Sequence, residues 1–106
     1  MYTEEFAKRL AQLRINKGVS ARDMSLSLGQ SAGYINGLEN GVSLPSMNTF
    51  FYICEYLDIT PMEFFDFENG NPNENNEILE NLKYLTNEQL KNVAFTISEY
   101  KKLNHK

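Results

Sequence analysis

Between Ser20 and Gly41 the chain reads SARDMSLSLGQSAGYINGLENG. Two apolar pairs lie in this stretch at helical spacing: Met24 and Leu28 are four apart, Ile35 and Leu38 three apart. Gly29 falls between them, where the first helix must stop and the chain must turn, a position that favours a left-handed backbone. Gly41 closes the second segment in the same way. Ser20 and Ser31 stand where a side-chain oxygen can accept an orphan N–H at the start of each helix. The pattern predicts two short helices joined at Gly29, both turned toward one core.

The remainder of the chain follows the same three-four rhythm. Phe6, Leu10 and Leu13 predict a first helix over residues 3–17, ended by Gly18. Arg14 lies beside that apolar face, and a buried arginine needs an anion; Glu39 is its candidate partner. Lys8, Arg9 and Lys17 read as a solvated face. Ser46 is placed to cap a fourth helix carrying Met47, Phe50, Ile53, Cys54 and Leu57, with Cys54 as a small core residue. In Phe50-Phe51-Tyr52 the pattern expects core plus one rim residue. Thr60-Pro61-Met62-Glu63 is a capping box with proline at the first helical position. It opens a short fifth helix that is expected to carry Phe64 and Phe65 inward. The Asn-rich stretch 68–76 reads as a linker. Beyond it, Ile78, Leu79, Leu82 and Leu85 form one amphipathic helix. Leu90, Val93, Ala94 and Ile97 form another, opened by a capping box from Thr86 to Gln89. Two such helices are too small to bury their apolar stripes alone.

Composition excludes several classes. With 42% hydrophobic residues and 13 Phe and Tyr among 106 positions, the chain can build a core. One cysteine makes neither an internal disulfide nor a metal cluster. The single histidine, His105, lies near the C-terminal end, which argues against histidine-based catalysis and against zinc. No apolar run is long enough for a membrane span, and no secretory signal is visible, so a cytoplasmic protein is expected. The acids Glu55, Asp58, Glu63, Asp66 and Glu68 have no accompanying base or nucleophile, and the expectation is no enzyme and no cofactor. Net charge is −4, unevenly spread. Residues 1–29 hold five cations and three anions, residues 30–70 no cation and six anions, and residues 71–106 five of each.

A helix, a glycine turn and a short second helix make a helix-turn-helix, a unit that places its second helix in the major groove of DNA. Over residues 6 to 65 the chain resembles the Cro and phage-repressor, or XRE-type, family of helix-turn-helix regulators. The matching residues are Leu10, Leu13 and Arg14; Gly18-Val19-Ser20; Met24-Ser25 with Leu28-Gly29; Ile35 with Leu38-Glu39-Asn40-Gly41; Pro45; and Leu57 with Phe64. The resemblance implies an all-α fold: a five-helix repressor-like DNA-binding domain at 1–67. The linker 68–76 and a C-terminal helical pair at 77–106, the candidate for dimerisation, follow it. It also implies an ion pair between Arg14 and Glu39.

By the same resemblance the chain is a sequence-specific regulator, a repressor binding double-stranded DNA as a homodimer, with segment 31–40 in the major groove. The groove-facing positions fall on Ala32, Gly33, Asn36 and Gly37. Asn36 suits a bidentate contact with adenine N6 and N7. Gln30 and Ser31 are in reach of phosphate or a base edge, Tyr34 of a phosphate or a thymine methyl, and Arg22 of phosphate; Asn40 completes the set. Relatives often carry Gln where this chain has Ala21. Gly33 and Gly37 share a face, which fits either a close approach of the backbone to a partner or an exposed face that selects nothing. The alternative reading is a protein-interaction module on the same fold. It is motivated by the cation-free stretch 30–70 and by the apolar residues Leu26, Val42 and Leu44. The C-terminal helices could also meet a protein partner.

Overall fold

The computed structural model describes residues 2–105, and within them the chain is all-helical. Seven helices follow in order: α1 (Tyr2–Lys17), α2 (Ala21–Ser27), α3 (Tyr34–Glu39), α4 (Met47–Tyr56), α5 (Pro61–Phe64), α6 (Pro72–Leu82) and α7 (Asn87–Asn104). They divide into two compact units, one ending at Asn73 and one beginning at Glu74. Among the described residues no helix is long and apolar enough to cross a membrane.

Local chemistry sets the helix ends in the first unit. Ser20 Oγ accepts the Asp23 N–H at 3.0 Å and starts α2. Ser46 does the same for α4 with the Thr49 N–H at 3.2 Å. At Thr60 both halves of the capping box form, with Pro61 at the first helical position of α5. Gly29 adopts φ +74°, which lets its N–H reach the Leu26 carbonyl and the Gln30 N–H the Ser25 carbonyl. Gly41, also at +74°, repeats the arrangement through Leu38 and Gly37. These paired bonds absorb carbonyls that a helix end would otherwise leave open.

The core forms where α1 to α5 converge. Leu10, Met24, Ile35, Ile53 and Phe64 are completely buried and Leu38 almost so. Each contributes about 1.5–3 kcal/mol of burial. Cys54 sits in the same cluster, and burial pushes its thiol up to about 11. Three expectations need correction. Met47 is 64% exposed, because it stands at the first position of α4 and the apolar stripe begins with Phe50. Phe65 is 52% exposed, one residue past the end of α5, and lies against Phe50 and Phe64 at the core's edge. Phe51 and Tyr52 are both exposed, so that aromatic run supplies one core ring, not two.

Arg9 is the larger correction. It is only 2% exposed. Its Nε–H donates to the Phe64 carbonyl at 2.6 Å, one terminal nitrogen donates to the Glu63 carbonyl at 2.7 Å, and the other to Asn69 O and Gln12 Oε1 at 2.9 and 2.8 Å. Burial lowers the guanidinium pKa, with Asp66 acting the other way. Arg9 thus closes the carbonyl end of α5 and ties the following segment to α1. Asn16 donates to Gly70 O at 2.6 Å, Asn73 to Leu57 O at 3.0 Å, and Pro72 is buried. The stretch 68–76, expected as a linker, is therefore held on the first unit as far as Asn73 and already contains the start of α6.

In the second unit, the Thr86–Gln89 capping box forms and opens α7. No residue of α7 is buried, and Ile78, Leu79, Phe95, Ile97, Tyr100 and Leu103 all remain exposed.

Arg9→Met keeps the aliphatic bulk and removes every donor. We expect it to lower unfolding free energy by about 3 kcal/mol, because the Phe64, Glu63 and Asn69 carbonyls lose their partner. Urea denaturation followed by circular dichroism measures this, and Lys8→Met, at an exposed position on the same helix, serves as the near-neutral control.

Candidate nucleic-acid interface

The glycine-jointed pair α2–α3 packs through one face of each helix. From α2 come Met24 and Ser25, from α3 Ile35 and Leu38. Ser25 entered the sequence reading only as a residue that matches the family, with no role assigned to it. Its Oγ donates to the Ala21 carbonyl at 2.7 Å and accepts the Ile35 N–H at 2.9 Å. The first helical residue of α3 is Tyr34, and the residue before it is Gly33, which has no capping side chain. The oxygen that satisfies an orphan N–H of α3 comes from the neighbouring helix instead. Ser31, expected as the cap, offers only its carbonyl, to the Tyr34 N–H at 3.1 Å. The helix accordingly spans 34–39 within the expected segment 31–40. A signal for Ser25 existed: it lies three residues before Leu28, which puts it on the packed side of α2.

Arg14 joins this pair to α1. Its Nε–H donates to Glu39 Oε2 at 2.7 Å, one terminal nitrogen to Oε1 at 3.0 Å, and the other to the Val19 carbonyl at 2.9 Å. The hydrogen bonds to Glu39, reinforced by its charge, raise the Arg14 pKa against the opposing effect of burial. The fork-on-carboxylate geometry sets the end of α3 against α1 in one orientation.

The outer side of α3 is bare. Ser31, Gly33, Asn36 and Asn40 are exposed, as is Arg22 near the start of α2. Gln30, Ala32, Tyr34 and Gly37 are half-buried, and Tyr34 leans its ring on the core, which limits what it can offer outward. A Cβ added at Gly33 or Gly37 would meet nothing within 4 Å, so the fold itself does not require glycine at either position.

Few cations remain for an anionic partner. Arg9 and Arg14 are consumed inside the fold. Lys17 lies 3.8 Å from an Asp58 carboxylate oxygen and 4.9 Å from the centre of the Tyr56 ring. Lys8 borders a cavity with Glu5, Arg9, Gln12 and Phe67, at the end of the first unit where Arg9 grips α5. Arg22 is the cation that stands with α2 and α3. No group of acids, histidines and cysteines able to hold a metal occurs among the described residues.

Ser25→Ala removes the oxygen between α2 and α3 and leaves the buried Ile35 N–H unpaired. The expected cost is about 1–3 kcal/mol. Amide hydrogen exchange should show the loss concentrated in α3, while Ser31→Ala leaves its protection unchanged.

Comparison with known proteins places this geometry. No curated protein and no solved structure gives a significant match. A family model described as a helix-turn-helix domain matches residues 7–70, which takes in most of α1, all of α2 to α5 and the first part of the tethered segment behind them. That match spans more than half of the chain, with its paired glycine turns and its α3 turned outward, and the chain belongs to this family of XRE-type helix-turn-helix regulators.

Proposed function

We propose that the protein is a sequence-specific DNA-binding transcriptional regulator, acting as a repressor, with α3 in the major groove. The observation that carries the reading is the two-sided character of α3. Ile35 and Leu38 anchor one side, while Asn36, Asn40 and the small residues at 32, 33 and 37 leave the other clear. An unobstructed helix of this width fits the groove of B-DNA. Asn36 reads an adenine, and Arg22 holds a backbone phosphate.

A domain this small reads few base pairs, so the reading includes a homodimer on two half-sites about 34 Å apart. The C-terminal helices supply the contact. Their exposed Ile78, Leu79, Phe95 and Ile97 are the apolar surface that a second copy would cover. With so few cations per subunit, affinity rests on a small number of released counterions and on the backbone's closeness to the groove.

One observation favours the second reading, a protein-interaction module. Leu26 on α2 and Val42 and Leu44 in the segment after α3 are exposed, Val42 at 79%, in a stretch without a single cation. DNA affinity at low salt no better than that of an unrelated acidic protein would decide for it.

Selection from random DNA followed by gel shift tests the leading reading. Arg22→Ala should weaken binding to all sequences alike. Asn36→Ala should relax preference at one base, costing about 1–3 kcal/mol there. Equal loss of discrimination from both contradicts the assignment. Gly37→Ala separates stability from function. It should stabilise the folded domain by up to about 1 kcal/mol, since the added methyl meets nothing and alanine favours the helix. If the backbone of α3 lies against DNA, the same methyl should weaken binding; unchanged affinity would mean that the glycine face makes no close contact.

A further inference from the structure

On the first unit an open groove of about 420 Å³ runs between the C-terminal end of α2 and α4. It is lined by Ser27, Leu28, Tyr52, Glu55 and Tyr56. Tyr52 and Tyr56 are four apart on α4 and so share a face, with Glu55 beside them at the adjoining position. The lining offers two aromatic rings, three hydroxyls, a carboxylate and an aliphatic wall at Leu28. None of these five residues is a cation.

Aromatic faces and a carboxylate attract an organic cation, and the hydroxyls accept its N–H groups. The chain already uses this chemistry on the Tyr56 ring, which leaves Tyr52 as the ring open to a ligand. Lys17 brings its own ammonium to 4.9 Å from the centre of the Tyr56 ring. An inorganic cation finds no cluster of ligands here, whereas a cation with an apolar tail finds both a ring and Leu28. Tyr52 is 61% exposed and engaged in no ring contact among the described residues, so its face is open to an incoming group.

We propose that this groove is a binding site for an alkylguanidinium or alkylammonium group. The cation sits on the Tyr52 ring beside the Glu55 carboxylate, and its aliphatic part lies along Leu28. None of these three residues belongs to the DNA-facing set, so the site is independent of the regulator reading.

Titration of the full chain, followed by amide NMR shifts, tests this with three probes. Butylguanidinium presents the cation as a free small molecule. The peptide acetyl-Gly-Arg-Gly-amide presents it as a side chain of a protein partner. Valerate has a similar tail and the opposite charge. Both cationic probes should shift the amides of Ser27, Leu28, Tyr52, Glu55 and Tyr56 in a saturable way, the tighter of the two naming the source, and valerate should not. Glu55→Gln and Tyr52→Leu should each weaken binding at least about three-fold. Both residues are exposed, and Tyr52→Leu keeps apolar bulk while removing the ring, so each variant retains the fold. Equal shifts with valerate, shifts spread evenly over the acids of residues 55–68, or affinity unchanged in both variants would overturn the proposal.

Discussion

The contact on which the arrangement of α3 depends is the forked pair between Arg14 and Glu39. Two parallel hydrogen bonds at 2.7 and 3.0 Å leave little rotational freedom between α1 and the end of a six-residue helix. So short a helix has too few apolar residues to define its own axis; Ile35 and Leu38 fix its depth but not its tilt. The pair is partly shielded, so desolvation consumes much of the Coulomb gain, and its worth lies in geometry rather than in net stability. Ser25 supplies a second constraint at the other end of the same helix, through the Ile35 N–H. A helix held at both ends by polar contacts, and in the middle by two apolar side chains, can leave its whole outer side free.

The first helix carries this organisation through the unit. Arg14 faces α3, while Arg9, five residues earlier, grips α5 and the segment that leads to α6. One helix therefore braces both the outward helix and the tethered segment that follows α5 within the first unit. Two of the five cations that make the N-terminal third basic are spent on this bracing, and Lys17 is turned to Asp58 and Tyr56. The charge excess counted along the sequence is thus largely structural, and Arg22 is the cation that remains exposed on the α2–α3 pair.

Much of this was legible in the residues. Gly29 and Gly41 marked the turns because only a left-handed backbone returns the chain so soon. Thr60-Pro61-Met62-Glu63 and Thr86 to Gln89 marked helix starts because their caps act within four residues. Arg9 was misread as solvated, although its spacing of three from Phe6 and four from Leu13 put it on the buried side. Charge argued for water, and only the three carbonyls gathered from Glu63, Phe64 and Asn69 reverse that argument. Ser31 looked like a cap because it stood before an apolar helix, but the backbone continues through Gly33 before becoming helical.

Local chemistry, then, was enough to specify seven helices, most of their ends and most of the apolar faces, since periodicity and capping act over a few neighbouring residues; the starts of α3 and α6 escaped it. Which polar groups would be withdrawn from water was decided by partners more than fifty positions away for Arg9, twenty-five for Arg14 and ten for Ser25. Those partners exist only once the helices have packed, because the hydrogen bonds that make burial of a guanidinium or a hydroxyl tolerable are assembled by the tertiary fold.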